Sequence, residues 1–334
     1  MQRIELKAPY LVFVGDETRL TYAKTGRGIV DWRRELCAGQ LRLTAGACDL
    51  GLPEMSVSEA AAAGIGSLVI GTALVGGSIP PAWVATLAEA ARAGIDIVAG
   101  LHTRLASIPE LVAAAGESGA RLVDVRIPPA NLPVGTGKKR SGKRLLTVGT
   151  DCALGKKYTA LQLEKDLRAA GVAADFRASG QTGIMIAGEG IPIDCVVADF
   201  ISGAAEILSP DNDPDHWDVI EGQGSIFHPG YAAVSHGLLI GSQPDAFVVC
   251  HAAGRTHIEG WPHMPLPSIG EVLERTVQIG ALTNPALRCA GISVNTAAVP
   301  ETERRDYLTR LGERYGLPAV DPLLTGTAAI LDNL

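Results

Sequence analysis

The sequence predicts an α/β protein of two domains, a small parallel-sheet domain followed by a larger, doubly wound one. Short apolar runs alternate with helix-period segments along most of the chain, the pattern of strands joined by crossover helices. Apolar residues make up 47% of the chain, aromatics only 4%, and 39 residues are glycine. A core of Ala, Val, Leu and Ile broken by frequent turns suits helices layered on a sheet. At 334 residues the chain is long enough for two domains, each with a full core.

Residues 1–50 are the least regular, with strands expected at 10–14 and 29–32. Ser67-Leu68-Val69-Ile70 begins a clearer alternation: a strand, then a helix over 81–93 with Pro81 at its start. A strand at 95–99, a helix over 108–116 and a strand at 121–125 complete the series. The uncharged stretch 60–88 is long enough for a membrane span, but Gly76-Gly77 and Pro80-Pro81 divide it into strand and helix. Pro128-Pro129 and the basic run 135–144 then break the periodicity. The first domain is accordingly set at 1–135, a basic linker at 136–143 and the second domain at 144–334. The linker reads as solvated; alternatively, its cations help to hold an anionic cofactor. In the second domain strands are expected at 144–148, 174–178, 194–199, 217–221, 246–250, 289–294 and 318–320. Helices are expected near 156–170, 203–208, 234–239, 268–280 and 301–315.

The formal charge of −7 argues against a nucleic-acid partner. The six cysteines are scattered with no C-x-x-C pair, which predicts neither a disulfide framework nor a zinc site and points to a reducing cytoplasm. The first residues, Met1-Gln2-Arg3-Ile4-Glu5-Leu6-Lys7, are too charged for a signal peptide. An Ala-rich chain of this class is expected to form a homodimer or larger homo-oligomer.

The most informative motif is Gly149-Thr150-Asp151-Cys152-Ala153-Leu154-Gly155-Lys156-Lys157, between an apolar strand and a leucine-periodic helix. Strand, glycine loop, Gly-Lys and helix form a phosphate cradle, in which backbone N–H groups and a lysine face the anion. Five residues, not four, separate its glycines, and Lys157 stands where a Ser or Thr would hold Mg²⁺. The loop is suited to phosphate but departs from the Mg-ATP pattern. In a doubly wound sheet ligands bind at the carboxyl ends of the strands, where Asp199, Glu221, His251 and Asn295 are expected. Ser202, Arg255 and His257 follow close behind. Ser179-Gly180-Gln181-Thr182-Gly183 forms a second polar loop. Histidines 251, 257 and 263 stand six apart, matching no common zinc spacing, and no metal is expected. Cys152 is either a small loop residue or an acyl-accepting nucleophile.

The glycine loop, Glu221-Gly222-Gln223-Gly224 and Val294-Asn295 are together similar to dethiobiotin synthetase and its P-loop relatives, in which the Asn reads adenine. Ser179-Gly180-Gln181-Thr182-Gly183-Ile184-Met185, Asp199-Phe200-Ile201-Ser202-Gly203-Ala204-Ala205-Glu206, His228-Pro229-Gly230, Gln243-Pro244-Asp245 and the Arg255 loop resemble the D-glutamate N-acetyltransferase (DgcN-type) family more closely. That resemblance implies a small N-terminal Rossmann-like domain followed by a P-loop NTPase-like domain. It also implies acetyl transfer from acetyl-CoA to the amino group of D-glutamate. On that basis Gly149, Thr150, Asp151, Cys152, Gly155, Lys156 and Lys157 are expected to bind a phosphate of CoA without metal, and Asn295 its adenine. Ser179, Gln181, Thr182, Ser202 and Arg255 are expected to bind the acceptor, with Arg255 forking onto a carboxylate. Glu221 is the favoured general base, Asp199 orients, and His257 is the alternative base. Two other readings stay open: an ATP/Mg-dependent ligase, carboxylase or kinase, with Thr150 or Thr159 replacing the missing metal ligand, and a non-enzymatic nucleotide or CoA sensor.

Overall fold

The computed structural model describes residues 2–334 and divides them into two compact units, 2–127 with 181–192, and 128–180 with 193–334. In the first, strands β1 (Tyr10–Gly15), β2 (Cys37–Arg42), β3 (Ser67–Ile70), β4 (Asp96–Ala99) and β5 (Leu122–Asp124) form a parallel sheet in the order β2-β1-β3-β4-β5. The inner strands read as unbroken apolar runs because helices cover both faces: every residue of β1, β3 and β4 is buried.

Two expectations fail in this unit. Residues 29–32 are not a strand; they end helix α1 (Lys24–Trp32). Gly26 brings α1 onto β3, its N–H donating to Gly71 O at 2.7 Å, and Ile29 and Val30 face the core. Tertiary burial overrides the β-branched preference. The segment 181–192, assigned from sequence to the second domain, packs in this one. Gln181–Ala187 is a helix with Ile184, Met185 and Ile186 buried. The Thr182 hydroxyl lies 3.0 Å from that of Thr25, and Arg33 donates to Ile186 O at 2.7 Å.

The second unit carries β6 (Lys143–Gly149), β7 (Ala174–Arg177), β8 (Trp217–Ile220), β9 (Ala246–Ala252), β10 (Arg288–Asn295) and β11 (Ala319–Val320). All are parallel, in the order β11-β10-β9-β6-β8-β7. The strand expected at 194–199 is absent. Ile193–Cys195 and Ala198–Phe200 are single 3₁₀ turns, and Val197 is 66% exposed. The short run Cys195-Val196-Val197-Ala198 has no sheet position to bury both its faces. The basic stretch is not only a solvated linker: residues 136–139, 141 and 143 are exposed, but Lys139 and Arg140 are engaged. Arg140 donates to the carbonyls of Ser209, Gly241 and Ser242, Lys139 bonds Asp245 at 2.7 Å, and the buried Arg144 guanidinium is ringed by carbonyls of residues 140–142, 209 and 210. These contacts lie at the amino ends of the strands, so the alternative role for these cations, holding a cofactor at the carboxyl ends, fails. Among the described residues no helix is long and apolar enough to cross a membrane.

The helices Ile201–Leu208 and Ala232–Ser242 touch through glycine: a Cβ on Gly241 would lie 2.2 Å from Ser202 O. That atom is backbone and cannot step aside. Gly241→Ala should therefore destabilise the second unit by about 1–3 kcal/mol, read by denaturant unfolding. Gly116→Ala, in the helix Pro109–Ser118 with nothing within 4 Å of its Cβ, should instead stabilise by about 0.5–1 kcal/mol. Equal responses at both positions would contradict the packing described here.

Candidate active site

Strand β6 occupies the middle of the sheet, paired with β8 through Leu146–Ile220 and with β9 through Gly149–Cys250. Its carboxyl end, with the ends of β7, β8 and β9, gathers residues 149–157, 179–180, 221–223 and 251–255. The phosphate loop leads into the helix Lys156–Ala169. Ala153 and Gly155 both take positive φ, +52° and +104°, an alternation that turns successive N–H groups toward one side and makes an anion-binding concavity. Lys156 is buried and donates to Asp151 O at 2.7 Å, and burial lowers its pKa. The loop is thus held in shape by its own lysine.

Asp151 is fully buried. One carboxylate oxygen accepts the Cys152 N–H at 2.6 Å, and the other accepts Arg255 Nη1 at 2.9 Å and the Glu259 N–H at 2.8 Å. Arg255 also donates to Cys152 O at 2.7 Å. Its fork, expected to grasp a substrate carboxylate, is committed to the loop; a buried carboxylate so close captures it first. Thr150 Oγ1 lies 3.1 Å from His251 Nδ1, and burial together with Arg255 keeps His251 below the usual imidazole range.

Glu221 follows β8 directly and is buried. One of its carboxylate oxygens accepts the N–H groups of Ser179 (3.1 Å) and Gly180 (3.0 Å), and the Ser179 hydroxyl donates to Glu221 O at 2.5 Å. Burial pushes its pKa up to about 7, overcoming the opposing pull of Lys157 and of those two N–H groups. Gly222 allows this arrangement: its N–H donates to Thr147 Oγ1, and a Cβ there would lie 1.6 Å from Thr147 O. Gln223 Nε2 donates to Ser179 Oγ at 2.9 Å.

The structure brings together Gly149, Thr150, Asp151, Cys152, Gly155, Lys156, Lys157, Ser179, Glu221 and Arg255. Others fall elsewhere. Asp199 is exposed on a 3₁₀ turn rather than at a strand end, so its orienting role lapses with the missing strand. Ser202 packs the helix Ile201–Leu208 on the helix Ala232–Ser242, donating to Gly237 O at 3.1 Å. Gln181 and Thr182 belong to the first unit. His257 is exposed on a hairpin and bonded to Thr256 Oγ1 at 2.9 Å. Asn295 ends β10, exposed, with its Oδ1 accepting the Ala297 N–H.

His228, given no role from sequence, is the buried histidine of this site. Its Nδ1 accepts the Gly230 N–H at 3.1 Å, which leaves the proton of the neutral ring on Nε2, 4.0 Å from Asp151. Tyr231 stacks on it and Trp261 meets it edge-on. The sequence signal for it was its place in His228-Pro229-Gly230, one of the motifs that carry the family resemblance, with Tyr231 following in a chain poor in aromatics. Asp151, Cys152 and His228 also set metal-ligating atoms within 4.8 Å of one another. Both Asp151 oxygens are already engaged, and Arg255 and Lys156 oppose a further cation there.

Two outcomes follow from the charges. Arg255→Met leaves Asp151 buried without its counter-ion and should cost about 3 kcal/mol, with Arg255→Met/Asp151→Asn recovering part of the loss. Unchanged unfolding with selectively weakened acceptor use would return Arg255 to the substrate. For Glu221, a folded-state pKa of about 7 against an ordinary 4.5 means the native protein holds this proton more tightly than the unfolded chain. Stability from this group is therefore present at low pH and lost as pH rises from about 4.5 through about 7. Glu221→Gln should be more stable than the parent by about 3 kcal/mol above pH ~7, with the gap closing toward pH ~4.5. A pH-independent difference would show that the carboxyl is not held protonated by burial.

Residues 133–331 match the family model described as a domain of unknown function (DUF1611_C), P-loop domain, and residues 37–128 match the Rossmann-like DUF1611_N. The expected fold class is thereby met. The chain is 47% identical over 331 residues to a D-glutamate N-acetyltransferase of Pseudoalteromonas sp, covering 99% of this chain and 100% of that protein. It is 46% identical over 329 residues to a D-glutamate N-acetyltransferase of Tritonibacter scottomollicae, covering 98% and 99%. The crystal structure of a DUF1611 family protein from Anabaena variabilis superposes with a TM-score of 0.89 at 33% identity, over 98% of this chain and 99% of that one. With both domains matched in order and relatives aligned from end to end, the chain belongs to the DUF1611 family, the family of the D-glutamate N-acetyltransferases.

Proposed function

We propose that this protein is a D-glutamate N-acetyltransferase that moves an acetyl group from acetyl-CoA to the α-amino nitrogen of D-glutamate. End-to-end similarity to two D-glutamate N-acetyltransferases supports the reaction and its acceptor. The observation that carries the chemistry is Glu221, a buried carboxyl with a pKa near 7 beside a phosphate loop. The acceptor amine is protonated at neutral pH and must lose a proton before it attacks the thioester carbonyl. A base whose pKa lies near the working pH serves that step best. In this reading Glu221 takes the proton, and the N–H groups of Gln223 and Gly224, in the turn after β8, stabilise the tetrahedral oxyanion. The phosphate loop with Lys156 holds a phosphate of CoA. A cytoplasmic setting fits a chain in which no disulfide joins the described cysteines.

One observation weighs against the ATP/Mg reading. The hydroxyls that would replace the missing metal ligand are occupied: Thr150 by His251, and Thr159 by Gly155 O and Ser293 Oγ at 3.2 and 2.8 Å.

Thiol release from acetyl-CoA, followed across a panel of D- and L-amino acids, tests the reaction. The expected result is release with D-glutamate that persists after dialysis against EDTA. Loss on chelation with recovery in Mg²⁺, or ADP formation from ATP, would favour the ATP-utilising enzyme. Glu221→Gln should lower kcat by about 100-fold or more with acetyl-CoA saturation little changed. Lys156→Ala should mainly raise the apparent KM for acetyl-CoA. Near-normal kcat in Glu221→Gln with collapse in His257→Ala would pass the base to the histidine.

A further inference from the structure

The half-exposed aromatic cluster beside the phosphate loop has no part in the chemistry above. Tyr231 is 49% exposed, yet one face of its ring is stacked on His228 at 4.4 Å and 25°. His228 is 1% exposed, faces Asp151 of the loop, and is met edge-on by Trp261 at 4.6 Å and 79°. Three elements hold the cluster in place. Gly230 N–H fixes the imidazole, and Gly224 lets the turn after β8 run close to Tyr231, where a Cβ would lie 2.8 Å from that of Tyr231. The hairpin carrying Trp261 is tied to the same loop carboxylate through the Glu259 N–H. In a chain with only 4% aromatic residues, two of them are locked around a buried histidine next to an anion cradle, with the outer face of one ring open.

We propose that Tyr231, backed by His228 and Trp261, is the platform on which the adenine ring of the phosphate-loop ligand stacks. This rests on the acetyl-CoA reading and deepens it by naming where the base of CoA lies. A flat aromatic face held rigidly by a second ring binds a nucleobase through its π surface, without ordering a flexible side chain. Asn295 is the competing base reader. Its Oδ1 already accepts the Ala297 N–H, so a two-point contact with adenine would have to share that oxygen. The neutral imidazole under Tyr231, kept so by burial, leaves the ring stack uncharged and adds no requirement for an anionic base.

Calorimetric titration of the full-length protein with CoA, adenosine 3′,5′-bisphosphate and 4′-phosphopantetheine separates the halves of the ligand. Tyr231→Ala should weaken CoA and adenosine bisphosphate by about 5- to 100-fold and leave phosphopantetheine unchanged. Tyr231→Phe should retain parent affinity, as should Asn295→Ala. Tyr231 is half-exposed, so its truncation is compatible with folding, and Tyr231→Phe controls for that directly. Parent-like CoA affinity in Tyr231→Ala overturns the platform. An equal loss for phosphopantetheine does the same, by reducing Tyr231 to a structural role, and so does a loss confined to Asn295→Ala. If the parent protein binds none of the three probes, the acetyl-CoA reading itself fails. If it binds them and releases thiol with D-glutamate while Tyr231→Ala is unaffected, the platform alone fails.

Discussion

The carboxylate of Asp151 ties together the parts of the candidate site that come from distant stretches of chain. It receives the loop's own Cys152 N–H, the Arg255 guanidinium that follows β9, and the Glu259 N–H that leads into the Trp261 hairpin, and it faces His228. A fully buried carboxylate is costly unless its oxygens are saturated by donors and its charge is matched. Satisfying that one group brings four segments together. The phosphate cradle keeps its form because Arg255 and the loop's own Lys156 bind its carbonyls.

Glu221 shows the opposite use of burial. Its carboxyl also sits out of water, but two backbone N–H groups and the charge of Lys157 do not offset desolvation. Asp151 has both oxygens met by donors and Arg255 beside it, whereas Glu221 is poised near neutrality with one oxygen so met, on neighbouring strand ends of one sheet. That contrast gives the first a place in the architecture of the loop and makes the second the residue we propose for proton transfer.

Some of this was legible in the chain. The phosphate loop is contiguous, so its glycines, lysine and flanking strand and helix can be recognised without any tertiary knowledge. Glu221 was legible as well, because a strand of Trp217-Asp218-Val219-Ile220 ends directly before it. Asp199 misled for the same reason: Cys195-Val196-Val197-Ala198 has strand composition, but it folds between 3₁₀ turns with Val197 exposed. Arg255 misled differently. Its sequence context shows a guanidinium near the strand ends, not which carboxylate will claim it.

By itself the sequence determined the alternation of strands and helices, the two-domain α/β class and the anion-binding loop, all of which depend on residues close together in the chain. Only the tertiary structure decided that 181–192 packs with the first unit, that the basic stretch 139–144 locks the amino ends of the second sheet, and that His228 lies beneath Tyr231 against Asp151. Each of these depends on which polar group lies within about 3 Å of another after long-range folding. Burial then sets whether a charge is kept, shared or neutralised. Periodicity carries no record of such distances, because the partners are separated by tens to more than a hundred residues, as Arg255 is from Asp151.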